Sequence, residues 1–321
     1  MFGRGVIATT YGWALAAAGQ EVEFYVRPGR AKEYGEAITL DLLDARRRFQ
    51  GQRISAEWSV QYRETLEPDH DFDLIVLSVQ HYRVAEAVQF LASRLGNATL
   101  LMFSNMCSEP QEVAEGLPQD QLAWGFPQAG GGFDKNGVLR AALLKSVILG
   151  TFDNAPTERE LTLRHLFRDV GFRINEQRDY RGWLLIHFLA NTGFFSQALR
   201  IGSMSKLFAA KADLRQALLV TRELLPIAEK RGINLRRHLT ETLLFRLPAW
   251  PMALVLSLAA SYFAPARVTL EGNSDPSAEE PRANCRDALE EARRLQIPTP
   301  RLKAAEAFFA GTNLCEKNDR S

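Results

Sequence analysis

The chain has 321 residues, 46% hydrophobic and 24% charged, a composition that suits a folded protein and excludes a disordered tail, a collagen-like repeat or a disulfide scaffold. With 39 Lys and Arg against 38 Asp and Glu, the net charge is +1, so no global field draws the chain to nucleic acid or to an anionic membrane. At roughly 150 residues per domain, two domains are expected.

In chain order, the Ala-rich stretch 6–18 has apolar residues at helical spacing, and Gly19 stands where a helix C-cap belongs. Residues 21–26 alternate charged and apolar side chains, which predicts a strand ending at Arg27-Pro28-Gly29-Arg30. Weaker strand or loop segments follow at 37–42 and 52–61, around the basic run Arg46-Arg47-Arg48. Residues 72–78 and 99–104 read as buried strands, with a helix over 84–95 between them. The triple glycine 130–132 and Asn136-Gly137 mark turns, 146–150 is a strand, 158–170 a helix and 172–176 a last short strand. Continuous apolar strands separated by helices predict an α/β fold: a Rossmann-like, doubly wound parallel sheet covered on both faces.

Beyond residue 179 the strand signals fade and the period is helical over 183–201, 205–230, 238–245 and 283–295, with a polar loop at 271–281. The expected organisation is a Rossmann-like domain over 1–178, an all-helical domain over 179–310 and a polar tail over 311–321. The apolar run 248–265 has about 14 continuous apolar residues against the ~20 that a bilayer needs, so it reads as a helix buried on most sides, not as a membrane span. Residues 1–5 lack the apolar stretch of a secretory signal. The three cysteines and five histidines are scattered without metal-ligand spacing, so no metal centre is expected, and a reduced, cytoplasmic setting fits.

Gly3-Arg4-Gly5-Val6-Ile7-Ala8 matches G-x-G-x-x-A. In a dinucleotide fold the first glycine makes the tight turn and the second lets backbone approach the pyrophosphate. The third small residue allows close helix–strand packing, and the helix N-terminus faces the phosphates. The adenosine ribose is read at the end of the next strand, and the residue there is Arg27 rather than Asp or Glu. A guanidinium pairs with a 2′-phosphate, so Arg27 and Arg30 point to NADP; the bland alternative is a solvated basic turn.

Only Met1 and Phe2 precede Gly3, whereas the strand before such a turn has roughly five or more apolar residues and lies in mid-sheet. Without it, its two neighbours would stand about 9.6 Å apart, with unpaired backbone groups costing several kcal/mol. Either translation begins upstream of Met1 or the protein is truncated and less stable; the first is the expectation.

The residues quoted resemble the ketopantoate reductase (2-dehydropantoate 2-reductase) family, from GRGVIATTYGWALAAAGQEVEFYVRPGR to EEARRLQIPTP. The resemblance implies an NADP-binding domain joined to a helical domain, with a 2-oxo acid in the cleft. Its ketone would be reduced by hydride from NADPH, with a lysine as general acid. In Ser78-Val79-Gln80-His81-Tyr82, the family's cofactor-side lysine corresponds to Gln80. Phe103-Ser104-Asn105-Met106 resembles its Asn-Gly-Met turn, displaced by one, which assigns Asn105 to the nicotinamide ribose or the substrate. Helical second domains of this kind can support a homodimer.

The family's interdomain helix carries a lysine, an asparagine four residues on and a second asparagine four later, all on one face. Those positions here are Trp183, His187 and Asn191. Tryptophan cannot protonate an alkoxide. His187 is then the candidate proton donor, unless it is a buried structural histidine, and Arg181 or Lys206 could supply positive charge. Trp183 either packs the domain seam or closes the pocket on a bulkier substrate. The family's glutamate falls on Glu280, which also reads as an acidic helix start; its substrate serine falls on Ser274 or Ser277. The resulting expectation is an NADP(H)-dependent oxidoreductase acting on a small-molecule carbonyl, with a catalytically degenerate NADP-binding sensor as the alternative.

Overall fold

The computed structural model describes residues 1–272 and 279–310; Ser274, Ser277 and the tail 311–321 lie outside them. The chain divides into two compact units, Met1–Leu184 with Leu258–Ser274, and Leu185–Ser257 with Asp275–Ser321. The division falls a few residues beyond the composition shift, and it returns 258–274, read from sequence as part of the helical domain, to the first unit.

The first unit runs α1 (Val6–Ala16), β1 (Glu23–Tyr25), the single turn α2 (Ala31–Tyr34), β2 (Ala37–Asp44), β3 (Gln52–Ser59), β4 (Gln61–Arg63), β5 (Leu74–Leu77), α3 (Val84–Leu91) and β6 (Thr99–Met102). It continues with the single turn α4 (Pro110–Val113), β7 (Leu122–Phe126), β8 (Ala129–Phe133), β9 (Leu139–Leu143), β10 (Ser146–Gly150), α5 (Glu158–Asp169) and β11 (Arg173–Gln177). Then follow α6 (Tyr180–Ile201), α7 (Met204–Ala209), α8 (Lys211–Lys230), α9 (Leu239–Arg246), α10 (Ala249–Tyr262), α11 (Ala264–Gly272), α12 (Glu279–Arg294) and α13 (Pro300–Ala304).

The central sheet has the order β11-β10-β7-β6-β5, with β5, β6 and β7 parallel. β5, β6 and β7 are almost wholly apolar because both faces are covered, whereas the edge strand β11 is polar and mostly exposed, and the two-residue period sorts the buried side chains. Ile75, Leu77, Leu100 and Met102 join one buried cluster with α3, whereas Val76, Leu101 and Phe103 join another with α1 and α5. β1 pairs in parallel with β4 as a separate ribbon. A second sheet, β3-β2-β9-β8, is built from the segments whose strand signal was weak.

The strand before the glycine turn is a single rung. Phe2 bridges in parallel to both Tyr25 and Leu77, donating to Val76 O at 2.9 Å, while Tyr25 donates to Met1 O at 2.9 Å. Around that rung, β1 and β5 border a cavity of about 450 Å³ lined by Phe2, Glu23, Tyr25, Leu74 and Val76.

Four expectations are corrected. The triple glycine is strand β8, not a turn: a Cβ on Gly132 would stand 2.5 Å from Gly272 O and one on Gly130 2.3 Å from Thr269 Cγ2, so the glycines admit α11 against the strand. The helix expected over 205–230 breaks at Ala210, whose backbone leaves the helical region at φ −96°, ψ 88°. The run 248–265 forms α10 but is not buried on most sides, since Trp250 is 66% and Tyr262 76% exposed. The loop expected over 271–281 is helical at both ends, where α11 finishes and α12 begins.

Candidate functional site

Four loops gather at the carboxyl ends of parallel strands, the edge at which open α/β sheets bind ligands. They are the glycine turn after Phe2, the turn after β1, and the paired loops after β5 and β6. In the glycine turn Gly3 has φ +92°, a conformation other residues rarely take. A Cβ built on Gly3 or Gly5 meets nothing within 4 Å, so the backbone there is open to a close-approaching group. Gly5 caps α1 without a side-chain hydrogen bond, and the first helical turn holds no acidic residue. Its free amides and the positive end of the dipole suit an anion. The side chains of Val6, Ile7 and Ala8 pack inward, Ala8 against Phe24, so these residues offer only backbone to a ligand. Gly12, one turn on, would place a Cβ 3.1 Å from the Phe24 ring, which is how α1 lies so close to β1.

Arg4 does not point over the turn as a loose cation. Its guanidinium lies 4.6 Å from the Tyr34 ring centroid and 4.8 Å from that of Phe133, and its Nε donates to Tyr62 Oη at 2.9 Å. Arg30 flanks the same Tyr34 ring at 5.2 Å and pairs with Glu33 at 3.0 Å. Arg27 is exposed. The structure thus brings Arg4, Arg30 and Tyr34 together near the end of β1.

At the ends of β5 and β6, Ser78 Oγ and Asn105 Oδ1 are buried without a hydrogen-bond partner. Orphaned polar atoms cost free energy in a folded protein and suit a polar ligand that arrives later. Together with the open glycine turn, they fit a nicotinamide dinucleotide. Gln80 is exposed and accepts from Tyr82 Oη at 2.9 Å. Trp183 is buried among Tyr180 and Phe126.

In the second unit His187 and Asn191 lie one turn apart on α6. The His187 residue keeps partial exposure, yet its imidazole is buried deeply enough that desolvation pushes its pKa down to about 4. Glu280 stands in the first turn of α12 beside Glu279, which pairs with Arg286. Thr192 Oγ1 donates to Asn284 Oδ1 at 2.8 Å and so ties α6 to α12, next to Asn191 and one turn beyond Glu280.

Sequence reasoning missed Ser78 as a polar group at the site, and it missed the Tyr34, Tyr62 and Phe133 surround of Arg4. Ser78 could have been read from its place directly after a buried strand; the aromatic surround has no local signal. Among the described residues no group of three His, Cys, Asp or Glu could hold a metal ion, and no single helix is long and apolar enough to cross a membrane.

No curated protein matches the sequence. The solved structure of D-mandelate dehydrogenase with NADH is similar over 97% of this chain and 98% of its own, at 13% identity and a TM-score of 0.67. That of 2-dehydropantoate 2-reductase from Geobacter metallireducens GS-15 is similar over 96% and 97%, at 16% identity and 0.64. A dimeric ketopantoate reductase from Staphylococcus aureus is similar over 96% and 97%, at 13% identity and 0.59. At such identities the likeness is one of fold. Residues 1–154 also match the family model described as Ketopantoate reductase PanE/ApbA. The matched residues, which hold the glycine turn and the parallel strands β5, β6 and β7, are therefore similar to the PanE/ApbA ketopantoate reductase family.

Proposed function

We propose that the protein is an NADP(H)-dependent oxidoreductase that reduces the ketone of a 2-oxo acid or a related small carbonyl in the cytoplasm, with its helical unit available for a homodimer. The observation that carries this reading is the glycine turn: open above Gly3 and Gly5, uncapped at α1, and set beside parallel strand ends. When bound, the nicotinamide supplies the hydride. The amides at the start of α1 hold the pyrophosphate, and Arg27, with Arg30 beside it, meets the 2′-phosphate. Ser78 and Asn105 satisfy their orphaned oxygens on the nicotinamide ribose or the substrate. Asn191 orients the carbonyl and Glu280 supports substrate placement. His187 enters as a neutral imidazole, because burial keeps it uncharged near neutral pH, and its role is to donate a hydrogen bond to the developing alkoxide, which takes its proton from solvent.

A second reading has its own support. Trp183 fills the family's lysine position inside an aromatic cluster, and His187 is a poor cation, so the chain could bind the dinucleotide as a sensor without turning over. Because one protein of similar fold is described with NADH, both dinucleotides belong in the test. Calorimetric titration should give a measurable NADPH dissociation constant, and NADPH oxidation across a panel of 2-oxo acids should single out a substrate. Binding without reduction of any carbonyl selects the sensor. Absence of binding to either dinucleotide overturns both readings.

A further inference from the structure

The inference rests on the dinucleotide reading above and concerns the adenosine end. β4 lies parallel to β1 with Tyr25 opposite Arg63, so the next residue, Glu64, comes level with Val26 and adjoins the turn that carries Arg27 and Arg30. Its Oε1 accepts a hydrogen bond from the Ala31 amide at 2.8 Å. Gly29 sits at φ +83°, a left-handed conformation that lets neighbouring amides of one turn converge on a single anion. The Ala31 and Gly29 amides, with Lys32 nearby, hold the Glu64 carboxyl below the usual carboxylate range. The turn expected to meet a phosphate is therefore already engaged by a carboxylate of the chain itself, while Arg30 is paired to Glu33.

We propose that Glu64 sets the choice between phosphorylated and unphosphorylated adenosine: its carboxylate repels a 2′-phosphate brought to Arg27 and Arg30, and accepts a hydrogen bond from a free ribose 2′-hydroxyl. Dinucleotide folds that bind NAD place an acid for that hydroxyl at the end of the strand after the glycine helix. Here that position is Arg27, and the acid arrives instead from the neighbouring strand of the same ribbon. The two charges oppose each other, so the chain accepts NADH alongside NADPH.

Glu64→Gln separates this from a role as a simple strut, since the amide oxygen still accepts from Ala31 while the charge is gone. Dissociation constants of the full chain and the variant for 2′,5′-ADP and 5′-AMP are measured by calorimetry, with NADPH and NADH in parallel. The variant should bind 2′,5′-ADP and NADPH at least about fivefold more tightly, with 5′-AMP and NADH unchanged or about twofold weaker. An unchanged preference, or a loss of all four ligands together in the variant alone, overturns the proposal and leaves Glu64 a strut. Failure of all four to bind either protein overturns the cofactor reading and this inference with it.

Discussion

Phe126 meets Trp183 edge to face, ring centroids 5.3 Å apart, and Tyr180 stacks on the same indole at 5.8 Å. Trp183 is only 6% exposed, and it occupies the helix position where the family resemblance places a lysine. An ammonium among these rings would be desolvated without a matching charge from them. Trp183→Ala is expected to cost about 3–5 kcal/mol from the lost packing, and Trp183→Lys no less, because a charge is buried as well. Denaturant midpoints check both. A Trp183→Lys protein with an unchanged midpoint would refute the packing account, and turnover gained by it would show that only the lysine was missing.

Gly5 allows binding to be separated from folding. Its backbone, at φ −75° and ψ 176°, is one that any residue adopts, and a Cβ there touches nothing. Gly5→Val should therefore cost stability no more than about 1 kcal/mol, the loss of a preferred N-cap residue. The added methyls stand where the phosphates approach the α1 amides, so NADPH should bind at least about tenfold more weakly, or ~1.4 kcal/mol. Thermal melting and calorimetry are run on the same preparation. Undiminished NADPH affinity places the phosphates elsewhere.

The sign of the His187 effect follows from burial. A histidine whose folded pKa is lowered from 6.5 to about 4 stabilises the fold fully above pH 6.5 and loses that contribution as pH falls through 4. Between pH 7 and pH 5 the loss should be about 2 kcal/mol. His187→Gln, which cannot take up the proton, should flatten that part of the stability–pH curve. Urea unfolding at pH 5, 6 and 7 measures it, and parallel curves for the two proteins would show an imidazole that stays hydrated.

What the sequence disclosed follows from how local each signal is. β5 and β6 were legible because a strand covered on both faces must be apolar at every position, and α1 because its spacing and Gly19 lie within one segment. The glycines of β8 were misread because their reason is α11, far along the chain, pressing on the strand at Gly130 and Gly132. The place of Arg27 in the turn after β1 was legible by counting along one strand. Glu64 was not, because it reaches the same turn only through the β1–β4 pairing. The chemistry of His187 was half legible: its place on the helix face could be counted, but its depth of burial could not.

The rung made by Phe2 yields the last prediction. The Met1 amine donates to Glu23 O at 2.6 Å, the bond that a peptide amide would make, and burial pushes it down to about 5. Beside it lies the cavity bordered by Glu23, Tyr25, Leu74 and Val76, with backbone of β1 and β5 on either side. Five alternating Val and Ile residues joined before Met1 would continue the strand and put an uncharged amide where the amine now lies. Each buried side chain contributes at most about 1.5–3 kcal/mol, offset by about 1–2 kcal/mol per residue for ordering the backbone. A net gain of roughly 2 kcal/mol raises the melting midpoint by about 5 °C. The same extension with proline at alternate positions lacks ladder donors and should gain nothing. If both extended chains melt where the parent does, the cavity is not a strand slot.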